Sequence, residues 1–334
     1  MKKILITGAG GFIGSYLVEY ALQKGLQVYA GVRKTTNREF LTNPEIHFVE
    51  FNFADVNSLC QQLTNFKNEN GTFEYIIHNL GLTQTSVSKE YFTVNFEYTK
   101  NFVEALSSAQ MLPEKFVYIS SLAANGPGNS ETLKPISVND SPHPVTQYGK
   151  SKLMTENYLK TIDNINYIII KPTVVYGPRE KNLLLVFKTI KKHIEFKIGF
   201  KEQHVSFIYV EDLVSLIFKT LTSDKNKKSY LVSDGISYTT QQLNGIIKKL
   251  LAVKTIKIST PVWLVYCIAF VSEKIGKLVY KPSILNSDKI NELKQSNWIC
   301  NIDDIKNDFD FEPQFDLEKG VSKTIKWYKK NGWI

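Results

Sequence analysis

The stretch KILITGAGGFIGSYL, which runs from Lys3 to Leu17, decides the fold of this chain. It combines a short apolar run, glycines at positions 8, 11 and 14, and the apolar stripe of a helix. Gly25 then ends the helical pattern, and Val28 opens a second apolar run. Glycine triplets also occur in purely structural turns, but the order strand, glycine turn, helix, strand favours a loop that binds a dinucleotide pyrophosphate.

The three glycines have separate tasks in such a loop. They allow the tight turn, the close approach of the backbone to the pyrophosphate, and the close packing of the helix on the strand. The helix N-terminus also offers free N–H groups to the phosphates. We therefore predict that the cofactor contacts Gly8, Gly11, Phe12, Ile13 and Gly14.

Further apolar runs alternate with helical patterns along the first half of the chain. They predict strands at 46–53, 75–81, 115–121 and 166–172, with helices between them, such as the one from Asn95 to Ala109. Continuous apolar runs are typical of parallel strands buried on both faces. The pattern predicts an α/β fold, a Rossmann-type doubly wound parallel sheet.

The composition is that of an ordinary globular protein, with 43% apolar and 22% charged residues. Cys60, Cys267 and Cys300 are too widely spaced for a disulfide framework or a metal cluster, so we expect a reducing, cytoplasmic location and no metal. The first strand pattern begins at Lys3 and leaves no room for a secretory signal peptide. The longest uninterrupted apolar run, 262–271, is too short to span a bilayer.

The net charge of +9 raises the question of a nucleic-acid partner. Lysine-rich pieces such as 188–192 and 225–228 interrupt helical or loop patterns, as solvated faces do. The chain has no basic stripe interleaved with aromatic residues and no nucleic-acid motif. We therefore expect a solvated, mildly anion-attracting surface and no nucleic-acid partner.

Tyr148 and Lys152 are spaced i, i+4, which places both side chains on one face of a helix. A phenol with a pKa near 10 exchanges protons poorly at neutral pH, and a nearby ammonium would lower that pKa. Ser121, at the end of a predicted strand, can hydrogen-bond a substrate oxygen. A Tyr-x-x-x-Lys pair alone is common and usually structural, so its meaning here depends on the glycine turn and the Ser-Ser strand end that precede it.

Together these residues resemble the extended short-chain dehydrogenase/reductase family, which holds NAD(P)-dependent epimerases and dehydratases. Within it, the chain is most similar in character to the 3β-hydroxysteroid dehydrogenase and dihydroflavonol-reductase branch. The resemblance covers nearly the whole chain. It rests on seven segments in the family's order, namely TGAGGFIG (7–14), HNLG (78–81), VNFEYTKNFVEAL (94–106), YISSLAANG (118–126), YGKSK (148–152), KPTVVYGPR (171–179) and FIYVEDLV (207–214).

The resemblance implies a role for each matching residue. Tyr148 would be the general acid/base and Ser121 would orient the reacting oxygen. Lys152 would lower the pKa of Tyr148 and hold the nicotinamide ribose, while Asn95 would brace the site. Pro172 would lie against the cofactor, and hydride would move between the nicotinamide and a carbon bearing a hydroxyl or carbonyl.

The form of the cofactor depends on the residues after the second strand. An NAD site usually has an acidic residue there, which binds the adenosine ribose, but this chain has Val32 followed by Arg33. An arginine at this point can pair with a 2′-phosphate, so we expect NADP, with NAD as the alternative. By the resemblance, Asn52 and Phe53 replace an Asp-Leu pair beside the adenine.

Residues in the second half of the chain bear on the class of substrate. Relatives that bind nucleotide sugars have arginines on the diphosphate, whereas Val205 takes the first of these positions and no arginine follows Arg179. Asn125 also departs from the tyrosine of many sugar-active members. The segment 260–282 is rich in aliphatic and aromatic residues, which fits a core helix, the lining of an apolar pocket, or a helix on a membrane surface.

These observations predict an NADP-dependent oxidoreductase that acts on a secondary alcohol or ketone of a small, rather apolar molecule. A nucleotide-sugar epimerase or dehydratase with retained NAD is the alternative, and a non-catalytic NADP-sensing regulator is a third reading. We expect a Rossmann domain at 1–178, to which 204–235 returns, and a substrate lobe at 179–203 and 236–334. The resemblance also suggests a homodimer through the helices that hold Asn95 and Tyr148.

Overall fold

A computed structural model describes residues 1–198, 202–261 and 287–334 of the chain. Its centre is a seven-stranded parallel sheet with the strand order β3-β2-β1-β4-β5-β6-β11. The order reverses direction beside β1, as in a doubly wound dinucleotide-binding fold. The strands are β1 (Lys3–Thr7), β2 (Gln27–Gly31), β3 (His47–Val49), β4 (Tyr75–His78), β5 (Lys115–Ile119), β6 (Tyr167–Pro172) and β11 (Lys228–Val232).

Helices cover both faces of this sheet because successive strand residues point to opposite sides. On β1, Ile4 and Ile6 pack with the helices Phe12–Gln23 and Val210–Leu221. Leu5 packs with the helices Val56–Asn70 and Tyr98–Ser108 on the other face. All three are fully buried. The helices of this part are α1 (Phe12–Gln23), α2 (Val56–Asn70), α3 (Ser88–Phe92), α4 (Tyr98–Ser108), α5 (Gln147–Lys160) and α7 (Val210–Leu221).

A smaller lobe packs around a separate apolar cluster that includes Phe187, Leu243, Ile247 and Tyr328. Its helices are α6 (Leu184–Lys191), α8 (Thr240–Leu251), α9 (Ser287–Leu293) and α11 (Leu317–Lys330). The short helix α10 (Asp303–Phe309) instead packs its Ile305 and Phe309 into the apolar cluster of the main sheet. Its short strands form the groups β7–β10, β12–β9–β14 and β8–β13. They are β7 (Val174–Tyr176), β8 (Ile194–Ile198), β9 (His204–Val205), β10 (Phe207–Tyr209), β12 (Tyr238–Thr239), β13 (Ile256–Thr260) and β14 (Asn297–Trp298).

The parallel sheet predicted from the apolar runs is confirmed, and the differences lie at element ends. The third strand is shorter than the predicted 46–53, because Asp55 already caps α2 by accepting hydrogen bonds from the backbone N–H groups of Asn57 and Ser58. Asn95 does not begin an ordinary helix but lies in a π-helical turn, Thr93–Glu97, that runs into α4. Most of the apolar segment predicted at 260–282 lies outside the described residues.

Strand β11 comes from far along the chain and completes the sheet. It pairs in parallel with β6, with Tyr230 opposite Ile170. The chain therefore leaves the sheet after β6, builds part of the smaller lobe and returns. The division into 1–178 with 204–235, and 179–203 with 236–334, stays a prediction.

Candidate active site

The glycine turn lies at the carboxyl end of β1 and leaves no space for side chains. Gly8 has a φ of +65°, and a Cβ atom there would lie 2.6 Å from the backbone oxygen of Asn79. A Cβ on Gly14 would overlap the backbone oxygen of Gly8. A side chain at Gly14 would push α1 away from the end of β1, and one at Gly8 would push away the loop that follows β4. The two glycines therefore allow the helix N-terminus and this loop to approach the end of β1 closely.

The first turn of α1 begins at this edge of the sheet. Gly11 is the N-cap, and Phe12, Ile13 and Gly14 follow it in the first turn. The N–H groups of such a turn have no partner within the helix, and together with the helix dipole they form an anion site. The arrangement is compatible with a pyrophosphate, and the contact of these residues with a cofactor stays a prediction.

Ser121 and Tyr148 meet beside the end of the neighbouring strand β5. Ser121 follows β5 and caps a 3₁₀ turn, Leu122–Ala124, by accepting a hydrogen bond from the N–H of Ala123 at 3.2 Å. Tyr148 lies in the first turn of α5, and its side chain lines the same cavity wall as Ser121, close enough for the serine side chain to influence the phenol. The two side chains predicted to share one substrate oxygen are therefore adjacent.

The pKa of Tyr148 differs from the sequence expectation. Burial raises it to about 12, and the nearby side chain of Ser121 opposes this rise. The pKa is therefore not lowered as the Tyr-x-x-x-Lys spacing predicted. The physical reason is that the phenol lies deep in the protein, where the loss of water disfavours the phenolate.

Lys152 lies one turn further along α5, and its ammonium is also buried. Its Nζ donates a hydrogen bond to the backbone oxygen of Ile119 at 2.8 Å and lies 4.7 Å from the ring centre of Tyr118. Burial lowers the pKa of Lys152 to about 7, and the charge of Glu156 opposes this shift. The backbone of Gly81 packs closely against Nζ, because a Cβ atom on this glycine would lie only 3.2 Å from it.

Asn95 uses its whole side chain to hold the loop after β4. Its Oδ1 accepts the N–H of Leu82 at 2.7 Å, and its Nδ2 donates to the Leu82 oxygen at 3.1 Å and to the Ser151 hydroxyl at 2.9 Å. Ser151 belongs to α5, between Tyr148 and Lys152. The side chain therefore links the loop to the helix that carries Tyr148 and Lys152, which is the bracing position that the resemblance implied.

The other predicted cofactor residues lie along the same edge of the sheet. Arg33 and Asn52 are exposed, just beyond β2 and β3 respectively. Phe53 is half-buried, and its ring packs edge-on against Phe102. Pro172 is buried at the end of β6. These positions bring all the predicted cofactor residues to the carboxyl ends of the parallel strands.

Sequence reasoning missed Asp288, which lies on α9 of the smaller lobe. Its carboxylate oxygens accept the N–H groups of Gln147 at 2.7 Å and Tyr148 at 3.3 Å, so it caps the start of α5. Burial raises the pKa of this carboxyl group. Asp288 lies 140 positions from Tyr148 in the chain, so no sequence pattern around either residue indicates that they meet.

A second missed group is His78, which stands at the end of β4 and is completely buried. Its ring nitrogens lie 2.9 Å from the Thr7 hydroxyl and 3.0 Å from the Thr99 hydroxyl. Burial lowers its pKa to about 3, and the charge of Lys152 adds to this shift. His78 is thus a neutral link between β1, β4 and α4.

A cavity of about 710 Å³ opens between the sheet edge and the smaller lobe, with Ser121 and Tyr148 in its wall. Its apolar lining includes Leu122, Val174, Leu183, Val186, Phe207, Leu243 and Leu293. Its charged lining consists of Glu180, Glu195, Lys197, Lys257, Asp288, Lys289 and Glu292. None of the described residues that line it is an arginine.

Most charged groups of this cavity already have partners. Glu180 accepts the N–H groups of Asn182 and Leu183, each at 2.6 Å. Glu195 accepts from Lys248 at 2.7 Å. Lys197 and Lys257 form no ion pair with any residue in the described ranges, so their charges face the cavity uncompensated.

The described residues also bear on metal binding and on membrane insertion. No group of three or more His, Cys, Asp or Glu side chains there could hold a metal ion. No helix in the same ranges is long and apolar enough to cross a membrane.

The buried ammonium of Lys152 predicts a specific dependence of stability on pH. Its pKa is about 7 in the folded chain against 10.5 in the unfolded chain, so between these values the unfolded chain binds more protons. The contribution of Lys152 to the free energy of unfolding should therefore rise with pH, by up to about 1.4 kcal/mol per pH unit. The measurement is the free energy of unfolding by urea, for wild type and Lys152→Met, between pH 7 and 9. The stability of wild type relative to the variant should increase as the pH rises.

The control is Lys150→Met, which changes an exposed lysine of the same helix and should follow the wild-type curve. Parallel curves for wild type and Lys152→Met would show that the ammonium keeps its charge in the folded chain, and would contradict the burial argument.

Comparison with known proteins places this geometry in a family. Residues 4–233 match the profile of the NAD dependent epimerase/dehydratase family. The chain is 26% identical to the UDP-glucose 4-epimerase of Vibrio cholerae, over 97% of this chain and 94% of that protein. It is 22% identical to the ceramide reductase of Caulobacter vibrioides, over 99% of this chain and 96% of that protein.

Among solved structures, the fold is similar to that of UDP-glucose 4-epimerase from Thermotoga maritima in complex with UDP-glucose. The TM-score is 0.79 at 19% identity, with 98% of this chain and 99% of that chain covered. At this identity the likeness shows the shared fold. The family profile matches more than half of this chain. The chain is therefore an enzyme of the NAD dependent epimerase/dehydratase family, within the extended short-chain dehydrogenases/reductases.

Proposed function

We propose that this enzyme transfers hydride between a nicotinamide cofactor and a secondary alcohol or ketone carbon of a small molecule. The observation that carries the proposal is the meeting of Ser121 and Tyr148 in the wall of the cavity, with Lys152 one turn away. A hydroxyl pair at the mouth of a dinucleotide cradle is suited to holding a reacting oxygen. The glycine turn and the strand ends supply that cradle.

The described residues fit a dinucleotide. The free first turn of α1 and the missing side chains at Gly8 and Gly14 suit a pyrophosphate. Arg33 would face the adenosine end, and Lys152 with Tyr148 the nicotinamide ribose. When bound, the nicotinamide supplies the hydride acceptor or donor.

Tyr148 handles the proton in this proposal. In the reducing direction the substrate carbonyl carbon gains a hydride, its oxygen takes the proton of the Tyr148 phenol, and a phenolate is left. The oxidising direction is the reverse and starts from the phenolate, which takes the substrate hydroxyl proton as the carbon loses a hydride. A phenol pKa of about 12 therefore favours the reducing direction near neutral pH. Ser121 holds the substrate oxygen, and Asn95 and Asp288 keep α5 in position through the contacts described above.

Replacement of Tyr148 by Phe tests the proton transfer. We expect turnover to fall roughly 10²- to 10⁴-fold, since a positioned acid/base group contributes that much. Binding of the nicotinamide cofactor, measured by fluorescence, should change little. Tyr158→Phe makes the same chemical change on the same helix and should keep turnover.

This experiment also separates the enzyme from the third reading, an NADP-sensing regulator without turnover. A regulator would keep its function in Tyr148→Phe. Wild-type turnover in that variant would contradict the proposed role.

We propose NADP rather than NAD as the preferred cofactor. Val32 is buried where an acidic residue would bind a ribose, and Arg33 is exposed directly after it. The other two arginines are engaged: Arg38 lies 3.6 Å from Glu50, and Arg179 donates to Glu19 at 2.7 Å. Arg33 makes no ion pair within the described part of the chain, so it is the guanidinium left for a 2′-phosphate.

Replacement of Arg33 by Ala tests this choice. Affinity for NADPH should fall roughly 10- to 100-fold, as expected for a lost charge-assisted hydrogen bond, while affinity for NADH should stay the same. Arg38→Ala is the control.

Mass spectrometry of the nucleotide released by denaturation is the companion measurement. NAD retained at nearly one per chain would overturn the preference for NADP.

Two substrate classes remain as proposals. The relatives support a nucleotide-sugar epimerase or dehydratase better than the apolar substrate expected from the sequence, because the Vibrio cholerae relative is a UDP-glucose epimerase that matches along nearly its full length. Lys197 and Lys257 support it too. Both face the cavity without an ion pair to any described residue, and an ammonium can bind a diphosphate as a point charge.

A small apolar alcohol or ketone is the second class. The cavity has a largely aliphatic wall and no arginine among its described lining residues. Its described lining carries four carboxylates and three lysines, and this slight excess of negative charge disfavours a diphosphate. One relative of similar coverage is a ceramide reductase.

Replacement of Lys197 and Lys257 by Gln discriminates the two classes. If the substrate is a nucleotide sugar, the KM for a UDP-hexose should rise at least tenfold, because both point charges on the diphosphate are lost. The control Lys330→Gln changes an exposed lysine at the end of α11. Turnover of a long-chain ketone with no response to UDP-hexose would instead establish the apolar class.

A homodimer through α4 and α5 stays a proposal, supported by the exposed Met154 on the outer side of α5. A cytoplasmic location is likewise proposed, from the free thiols of Cys60 and Cys300.

A further inference from the structure

Strands β8 and β13 form a two-stranded parallel ribbon. Its polar face lines the cavity, and its apolar face is on the opposite side of the ribbon. Phe196 lies opposite Ile258, and Ile194 lies opposite Ile256. Because side chains alternate along a strand, these four apolar residues share one face, which we call the outer ribbon face. The other face carries Glu195, Lys197, Lys257 and Ser259, which line the cavity.

The outer ribbon face is exposed rather than packed. Ile256 is 73% exposed, Phe196 is 52% exposed and Ile258 is 42% exposed. Single exposed apolar residues are ordinary, but three large ones on one face of a short ribbon form a patch of the kind that marks an interaction surface. Phe196 also borders the cavity, so the patch and the cavity mouth are continuous.

Positive charge surrounds the start of this ribbon. Lys191 and Lys192 lie just before β8, and Lys254 lies just before β13. The two approaches are tied together, because the His193 ring nitrogen binds the Lys254 backbone oxygen at 2.8 Å and the Ile256 N–H donates to the His193 oxygen at 2.9 Å.

These charges are not neutralised locally. The segments 181–194 and 252–261 contain six lysines, at 181, 188, 191, 192, 254 and 257, and no acidic residue. The three lysines at the ribbon start, 191, 192 and 254, form no ion pair with any described residue. An apolar patch beside unpaired lysines matches the boundary between lipid headgroups and acyl chains.

We propose that the outer ribbon face docks on an anionic lipid bilayer, with the apolar residues against the acyl boundary and the lysines on the headgroups. A second copy of the chain is a poorer occupant, because a twofold contact would set the same lysines against each other. The surface differs from the segment 260–282, for which the sequence raised a membrane contact. Docking does not require the hydride-transfer proposal and holds for either substrate class.

Sedimentation of the full chain with vesicles tests the proposal. Vesicles of phosphatidylglycerol and phosphatidylcholine should bind the chain, and vesicles of phosphatidylcholine alone should bind it at least tenfold more weakly. The variants Ile256→Ser/Ile258→Ser and Lys191→Gln/Lys192→Gln should each weaken binding to anionic vesicles roughly tenfold or more. Their substituted side chains are exposed, and their unfolding midpoints should match wild type.

Matched controls change exposed residues elsewhere. Ile236→Ser removes an isoleucine that is 46% exposed, and Lys329→Gln/Lys330→Gln removes two lysines from the end of α11. Both should bind vesicles as wild type does.

Three outcomes would overturn the proposal. They are no binding to anionic vesicles, undiminished binding by both ribbon variants, and a dimer in sedimentation equilibrium that Ile256→Ser/Ile258→Ser dissociates. The second would assign binding to another part of the chain, and the third would make the face an interface between copies. Because these measurements use no substrate, their failure is separate from any failure of the hydride-transfer assays.

Discussion

The buried ion pair between Lys171 and Glu156 ties the candidate site together. The ammonium of Lys171 donates to Glu156 at 2.7 Å, and both side chains are at most 3% exposed. Glu156 also accepts the hydroxyl of Ser120 at 2.5 Å. Strand β6, helix α5 and the end of strand β5 are thus joined by one carboxylate.

This network matters because its neighbours are the residues of the candidate site. Ser120 directly precedes Ser121, and Glu156 lies one turn beyond Lys152 on the same helix. Removing one partner of a buried pair leaves the other charge without compensation, which is strongly unfavourable. The strand end and the helix therefore cannot shift relative to each other without breaking it. Asp288 adds a second constraint at the start of α5, supplied by the smaller lobe.

The sequence was sufficient for the features that depend on local pattern. The strand, glycine turn and helix around Gly8 and Gly14, the parallel sheet, and the shared helix face of Tyr148 and Lys152 follow from spacing and apolar periodicity. The structure departs where long-range packing decides. The spacing of Tyr148 and Lys152 suggested a lowered phenol pKa. Burial, which one sequence does not show, instead raises the pKa of Tyr148 and lowers the pKa of Lys152. Asp288 and the π-helical turn at Asn95 had no local signal either.

The return of β11 to the sheet has a consequence for how the chain folds during synthesis. Strand β6 ends at Pro172, and among the residues that the structure describes its outer edge pairs with β11, which begins at Lys228. Until the ribosome has released that later strand, β6 is an open edge of Ile and Tyr side chains, the kind of edge that pairs with other nascent chains. The sheet thus closes late, and a chaperone that shields this edge while the intervening residues are made would raise the yield of folded enzyme.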